Sequence, residues 1–130
     1  MKKIVAALLL LAVLALTSDA LANKPSVAIV APESVEAGTE VTIALNVSHK
    51  GNSFLHFTNW VVVKADGVEI ARWDFKSSRR PENENFSREV KFKVAKSVEI
   101  TAQGHCNIHG SPDPTVFKIT IKSADRQARS

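Results

Sequence analysis

An all-β sandwich of short strands is the fold class this sequence predicts, and three observations predict it. Apolar and polar residues alternate with a period of two over several runs. Turn residues separate those runs at regular intervals. No stretch beyond the first 22 residues carries a helical period.

The elements follow in order. Ser26 to Val30 reads as a short strand ending at Ala31-Pro32. Glu36-Ala37-Gly38 is a turn into a second strand, where Val41, Ile43, Leu45 and Val47 share one face and Thr42, Ala44 and Asn46 the other. Trp60 to Val63 is a third strand. Asp66-Gly67 is a hairpin signal, and Val68 to Phe75 is the fourth strand after it. Ser77 to Glu84 is polar, holds Pro81 and reads as a loop. Phe86, Val90, Phe92 and Val94 share one parity in a fifth strand, and Val98, Ile100 and Ala102 share one in a sixth. Val116 to Lys122 is the seventh. Seven short strands with this turn spacing predict an immunoglobulin-like β-sandwich. The polar tail, Ser123 to Ser130, is expected to fray.

The first 22 residues read differently. Lys2 and Lys3 precede an apolar run from Ile4 to Leu16, and Ala20-Leu21-Ala22 follows as a small-residue cleavage site. That order is a secretory signal peptide, so residues 1–22 are expected to be removed and residues 23–130 to form one domain. The run is shorter than the roughly 20 residues that span a bilayer, and no cysteine stands at the cleavage site. No stable membrane anchor is therefore expected. The two lysines suggest a bacterial signal, which makes the periplasm the destination.

Charge narrows the partners. The chain carries 17 Lys+Arg against 13 Asp+Glu. Removal of residues 1–22 takes two lysines and one aspartate, which leaves a net charge of +3. This excess can attract an anion, yet it is no nucleic-acid footprint.

Cys106 is the one cysteine of the chain. Exported proteins use cysteines mostly in pairs, so a single one points to an intermolecular bond, a buried inert thiol or a metal ligand. Cys106 and His109 have Cys-x-x-His spacing, which brings thiolate and imidazole onto one metal when the chain turns between them. Gly110 follows at the turn. His49 ends the second strand and His56 precedes the third. They meet Cys106 and His109 if the third and sixth strands end at one pole. Parity points Cys106 inward with Ala102, and points His105 outward with Gln103. Three imidazoles and a thiolate suit zinc, copper or iron. A structural zinc site usually holds more cysteines. A copper site with an axial Met is excluded, because Met1 is the only methionine and leaves with the signal.

Cys106-Asn107-Ile108-His109-Gly110 resembles the signature of the superoxide reductases, the family of neelaredoxin and the catalytic domain of desulfoferrodoxin. Ala31-Pro32-Glu33 through Ala37-Gly38 resembles that family's first hairpin, and His49 with His56-Phe57-Thr58-Asn59-Trp60 resembles its central histidine ligands. The resemblance spans nearly all of residues 23–130. It implies an immunoglobulin-like sandwich with a mononuclear non-haem iron that cycles between Fe(2+) and Fe(3+). It implies His49, His56 and His109 as equatorial ligands and Cys106 as the axial one. The implied activity is reduction of superoxide to hydrogen peroxide, with electrons from an external donor protein. Lys24 stands where the family's lysine attracts superoxide and helps protonate the product.

The sequence also departs from the pattern. Pro25 stands where the family has a fourth histidine, and Asn23 where it has a glutamate. The His49–His56 spacing is one residue longer than usual, and Ser111-Pro112 replaces bulky residues. His105, the amine of Asn23 or water is left for the fourth position. A non-enzymatic metal-binding or electron-transfer module, with iron or copper, is the alternative reading. A sandwich without a metal, serving protein interaction, is a third.

Overall fold

The computed structural model describes residues 23–123. The expected signal peptide, residues 1–22, and residues 124–130 of the expected frayed tail lie outside the described residues. Every element among the described residues is a strand: β1 Ser26–Val30, β2 Ser34–Val35, β3 Thr39–Ser48, β4 Thr58–Ala65, β5 Val68–Asp74, β6 Asn85–Val94, β7 Val98–Cys106 and β8 Thr115–Ile121. Among the described residues, no helix is long and apolar enough to cross a membrane.

Seven strands were expected, and the described residues form eight. The additional one, β2, is two residues long and pairs parallel with β8 through Ser34–Thr120 and Val35–Ile121. A strand this short has no periodicity to read; only a distant partner makes it a strand.

Two sheets form, with orders β1-β3-β6 and β2-β8-β7-β4-β5. Their inner faces share one core. Ile43, Leu45 and Val47 of β3 are buried with Val61 and Val63 of β4, Ile100 and Ala102 of β7 and Ile119 of β8. Burying each larger aliphatic side chain stabilises by about 1.5–3 kcal/mol, so this shared face holds the sheets together. The parity read from β3 holds, with Val41, Ile43, Leu45 and Val47 inward.

The β4–β5 hairpin turns at Asp66 (φ 48°) and Gly67 (φ 81°). Both central residues of this tight hairpin turn are left-handed, a conformation that Asp tolerates and Gly adopts freely. The Asp66 carboxylate also accepts a hydrogen bond from the Glu99 amide at 2.9 Å, which ties the turn to β7.

Pairing directions bring four strand ends to one pole. Ser26 at the start of β1 pairs with Ser48 at the end of β3. Thr58 at the start of β4 pairs with Cys106 at the end of β7. β4 and β7 both run further toward this pole than the alternation alone suggests, so Cys106 closes a strand rather than opening a loop.

Candidate metal centre

The four residues proposed from sequence as metal ligands gather at this pole. Cys106 is fully buried, as its parity with Ala102 requires. Its amide donates to the Gly110 carbonyl at 2.8 Å, and the Gly110 amide returns a bond to the Cys106 carbonyl at 3.0 Å. This pair closes the Cys106–Gly110 turn, and Gly110, at φ 79°, takes a conformation that side chains resist. The turn brings His109 back. Its amide lies 3.4 Å from Cys106 Sγ and its Nδ1 lies 3.5 Å from the same sulfur.

His49 follows β3 directly and is buried, with its amide held by the Glu84 carbonyl at 3.0 Å. Its Nδ1 meets the Thr58 hydroxyl at 2.8 Å, and its Nε2 meets the Asn23 carbonyl oxygen at 2.8 Å. A carbonyl only accepts, so Nε2 carries the proton in this arrangement and the hydroxyl donates to Nδ1 of the neutral ring. Burial pushes the His49 pKa below its usual value, and His56 and His109 push it the same way. The Asn23 carbonyl and Glu84 oppose them without reversing the shift. A neutral imidazole is the form that binds metals.

His56 is set by its loop. Its amide bonds to the Ser53 carbonyl at 3.3 Å and the Ser53 hydroxyl oxygen at 3.1 Å. The ring lies on Gly51, where an added Cβ would come within 2.5 Å of Nδ1 and Cε1. Asn107 ties this loop to the Cys106 turn, accepting from the Phe57 amide at 2.9 Å and donating to the Leu55 carbonyl at 3.0 Å. Asn52 anchors the other side through the carbonyl of buried Pro81 at 2.8 Å. His56 then stands edge-on to both neighbouring rings, with centroids 4.9 Å from His49 and 5.0 Å from His109.

Donor atoms of His49, His56 and Cys106 all lie within 4.8 Å of one another, and His109 joins them through Cys106. His56 Nε2 is buried and makes no hydrogen bond among the described residues. An unpaired buried nitrogen costs about 1–3 kcal/mol, and a metal ion is one partner that satisfies it. Three imidazoles and a thiol suit iron, copper or zinc, so the residues fit the expected iron. The grouping is the opposite of what a sandwich without a metal site requires.

Two other candidates are placed as well. His105 points outward as its parity requires, stacked on Trp60 at 4.8 Å and bonded through Nδ1 to Asn59 Oδ1 at 2.6 Å. Lys24 is half-buried between Asn23, which touches His49, and Pro25, which is fully buried. Sequence reading missed the parts played by Gly51, Thr58, Asn107 and the Asn23 carbonyl. Asn107 carried a signal, as a member of the Cys106–Gly110 run, while Gly51 and Thr58 act across chain distances that periodicity does not report.

A family model described as Desulfoferrodoxin matches residues 17–112. No curated protein matches the chain. Among solved structures, the superoxide reductase (neelaredoxin) from Ignicoccus hospitalis is 24% identical with a TM-score of 0.58, over 76% of this chain and 80% of that one. A glutamate-to-valine variant of the superoxide reductase (neelaredoxin) from Archaeoglobus fulgidus, in the reduced form, is 18% identical with a TM-score of 0.50, over 80% of this chain and 93% of that one. Fibronectin(III)-like modules from Clostridium thermocellum are 22% identical with a TM-score of 0.53, over 78% of this chain and 48% of that one. At these identities the structures share the fold alone, and function has to be argued from the site. The family match rests on the sequence across most of the chain, including the His49, His56 and Cys106–His109 segments: the protein belongs to the desulfoferrodoxin family.

Proposed function

We propose that the protein is a periplasmic non-haem iron protein that reduces superoxide to hydrogen peroxide. The observation that carries this reading is the buried, unpartnered Nε2 of His56 within 4.8 Å of donors from Cys106 and His49. His49, His56, His109 and Cys106 would hold the ion. Bound iron, cycling between Fe(2+) and Fe(3+), supplies the one electron that superoxide takes with two protons.

The chain's own groups do the rest. Cys106 is buried, so its sulfur is kept from solvent and oxidants. Thr58 fixes the tilt of the His49 ring, and Gly51 leaves the space that the His56 ring fills. Lys24 supplies positive charge beside the pole, which draws in an anion, and its ammonium can deliver a proton to the product. An external donor protein returns the electron. The signal-like order of residues 1–22 supports export to the periplasm. The two facing sheets support an immunoglobulin-like classification.

A second reading is an iron or copper electron-transfer module. Buried Pro25 favours it, since this residue cannot supply the fourth imidazole. Pulse generation of superoxide over the Fe(2+)-loaded protein separates the two. The first reading expects fast oxidation of iron with release of one peroxide per iron, and a sulfur-to-iron absorption band that Cys106→Ser abolishes. A band that survives Cys106→Ser rejects the centre. Iron that superoxide does not oxidise leaves the module.

A further inference from the structure

We propose that the main chain of Asn23 serves as the fourth ligand group of this centre, through its carbonyl oxygen and, once the chain is cut after Ala22, its α-amino nitrogen. The inference rests on the metal-centre reading above and names the group that takes the position Pro25 cannot serve.

Three observations carry it. Pro25 is fully buried and seated against Gly104, where a Cβ would come within 2.9 Å of the proline Cβ. Its ring fixes its own φ and restricts Lys24 before it, so a proline packed there holds the start of the chain over the pole. The Asn23 carbonyl oxygen already lies 2.8 Å from His49 Nε2. Donors on neighbouring corners around one ion, each at about 2.1 Å, lie about 3 Å apart. Finally, Thr58 occupies the other nitrogen of His49, so Nε2 is the nitrogen left for an ion, and the Asn23 carbonyl sits on that side.

The amine follows from connectivity. In one residue the amino nitrogen and the carbonyl oxygen are joined through two carbons, so both on one ion close a five-membered ring. The Ala20-Leu21-Ala22 site leaves Asn23 as the first residue, and its amine is then free rather than an amide. On binding, the ammonium gives up one proton to solvent. The one ring proton of His49 moves from Nε2 to Nδ1 by way of solvent, so the ring stays neutral; Nδ1 then donates to the Thr58 oxygen, and the Thr58 hydroxyl keeps its own proton and rotates away.

The test compares two chains under anaerobic conditions, one beginning at Asn23 and one with Ala22 retained before it. Circular dichroism and melting check that both fold alike. Co(2+) is the probe, titrated against a chromophoric chelator, with its visible spectrum recorded. The chain beginning at Asn23 should bind at least about tenfold more tightly, a loss that even an outer partner of a ligand can cause, and the cobalt bands should shift between the two. Equal affinities with superimposable spectra overturn the inference while leaving the centre standing. Failure of both chains to bind Co(2+) or Fe(2+) overturns the centre itself, and this inference with it. The mass of the exported protein should begin at Asn23, and any other start also overturns the assignment.

Discussion

The His56 imidazole lies on Gly51 so closely that a Cβ at residue 51 would come within 2.5 Å of its Nδ1 and Cε1 and 2.9 Å of its Nε2. Contacts under about 3 Å cannot be kept in a packed interior, so one group has to move. Gly51 precedes a loop held by Asn52 and Ser53, which leaves the ring as the part that swings. Gly51→Ala should therefore weaken Fe(2+) or Co(2+) binding about 10–100-fold, the range for losing support of a ligand, with melting of the metal-free protein little changed. Metal titration checks this, and unchanged affinity would show that the ring position is immaterial to binding.

Asn107 links the loop that carries His56 to the turn that follows Cys106, with hydrogen bonds of 2.9 Å from the Phe57 amide and 3.0 Å to the Leu55 carbonyl. Asn107→Ala removes both and leaves a main-chain donor and acceptor without that partner. The expected cost is about 1–3 kcal/mol in unfolding free energy, together with faster hydrogen exchange at the Phe57 amide. Denaturant titration and exchange measurements read the two effects. Unaltered exchange at Phe57 would mean that the loops hold together by other contacts.

The fold was legible where local pattern decides it. Alternation marked β3 because one of its faces is buried from Val41 to Val47, and Asp66-Gly67 marked the hairpin because that turn requires left-handed residues. The β2–β8 pairing was hidden, since two residues hold no pattern and their partners stand some 86 positions away at Thr120 and Ile121. The site divides in the same way. Cys106 and His109 announced themselves by spacing, and β7 parity set His105 apart. The role of Gly51 depends on how an irregular loop folds back on its own His56, and those of Thr58 and the Asn23 carbonyl on three-dimensional approach to His49; no local spacing encodes either.

Thr58→Val keeps the shape of the side chain and removes the hydroxyl from His49 Nδ1, at 2.8 Å the only fixed side-chain partner of that nitrogen among the described residues. The imidazole then has one buried nitrogen unpaired and freer rotation about its side-chain bonds. Metal affinity should fall about 10–100-fold. Thr58→Ser, which retains the hydroxyl, should restore most of it. Equal binding by the Val and Ser variants would remove Thr58 from any positioning role.

Acid should weaken the metal-free protein in a window set by His49 and His105. Burial lowers the pKa of His49 and of His105 from the ordinary 6.5. Below 6.5 the unfolded chain takes up protons that the folded chain refuses, so stability is complete above 6.5 and declines as pH falls through the folded-state values. The Glu82 carboxyl behaves separately: the hydrogen bonds from Arg88 hold it down to about 2 from 4.5, so its share is lost only between those values. That share is small, because the pair is open to solvent. His105→Phe preserves an aromatic ring against Trp60 and removes one titrating group from the upper window. Its unfolding free energy should depend less steeply on pH below 6.5 than that of the unaltered protein, while its metal spectrum stays the same because His105 faces away from Cys106. Denaturant titrations from pH 5 to 8 and the spectrum of the iron-loaded variant provide both readings. A changed spectrum would place His105 among the ligands, and an unchanged slope would assign the acid sensitivity to His49 alone.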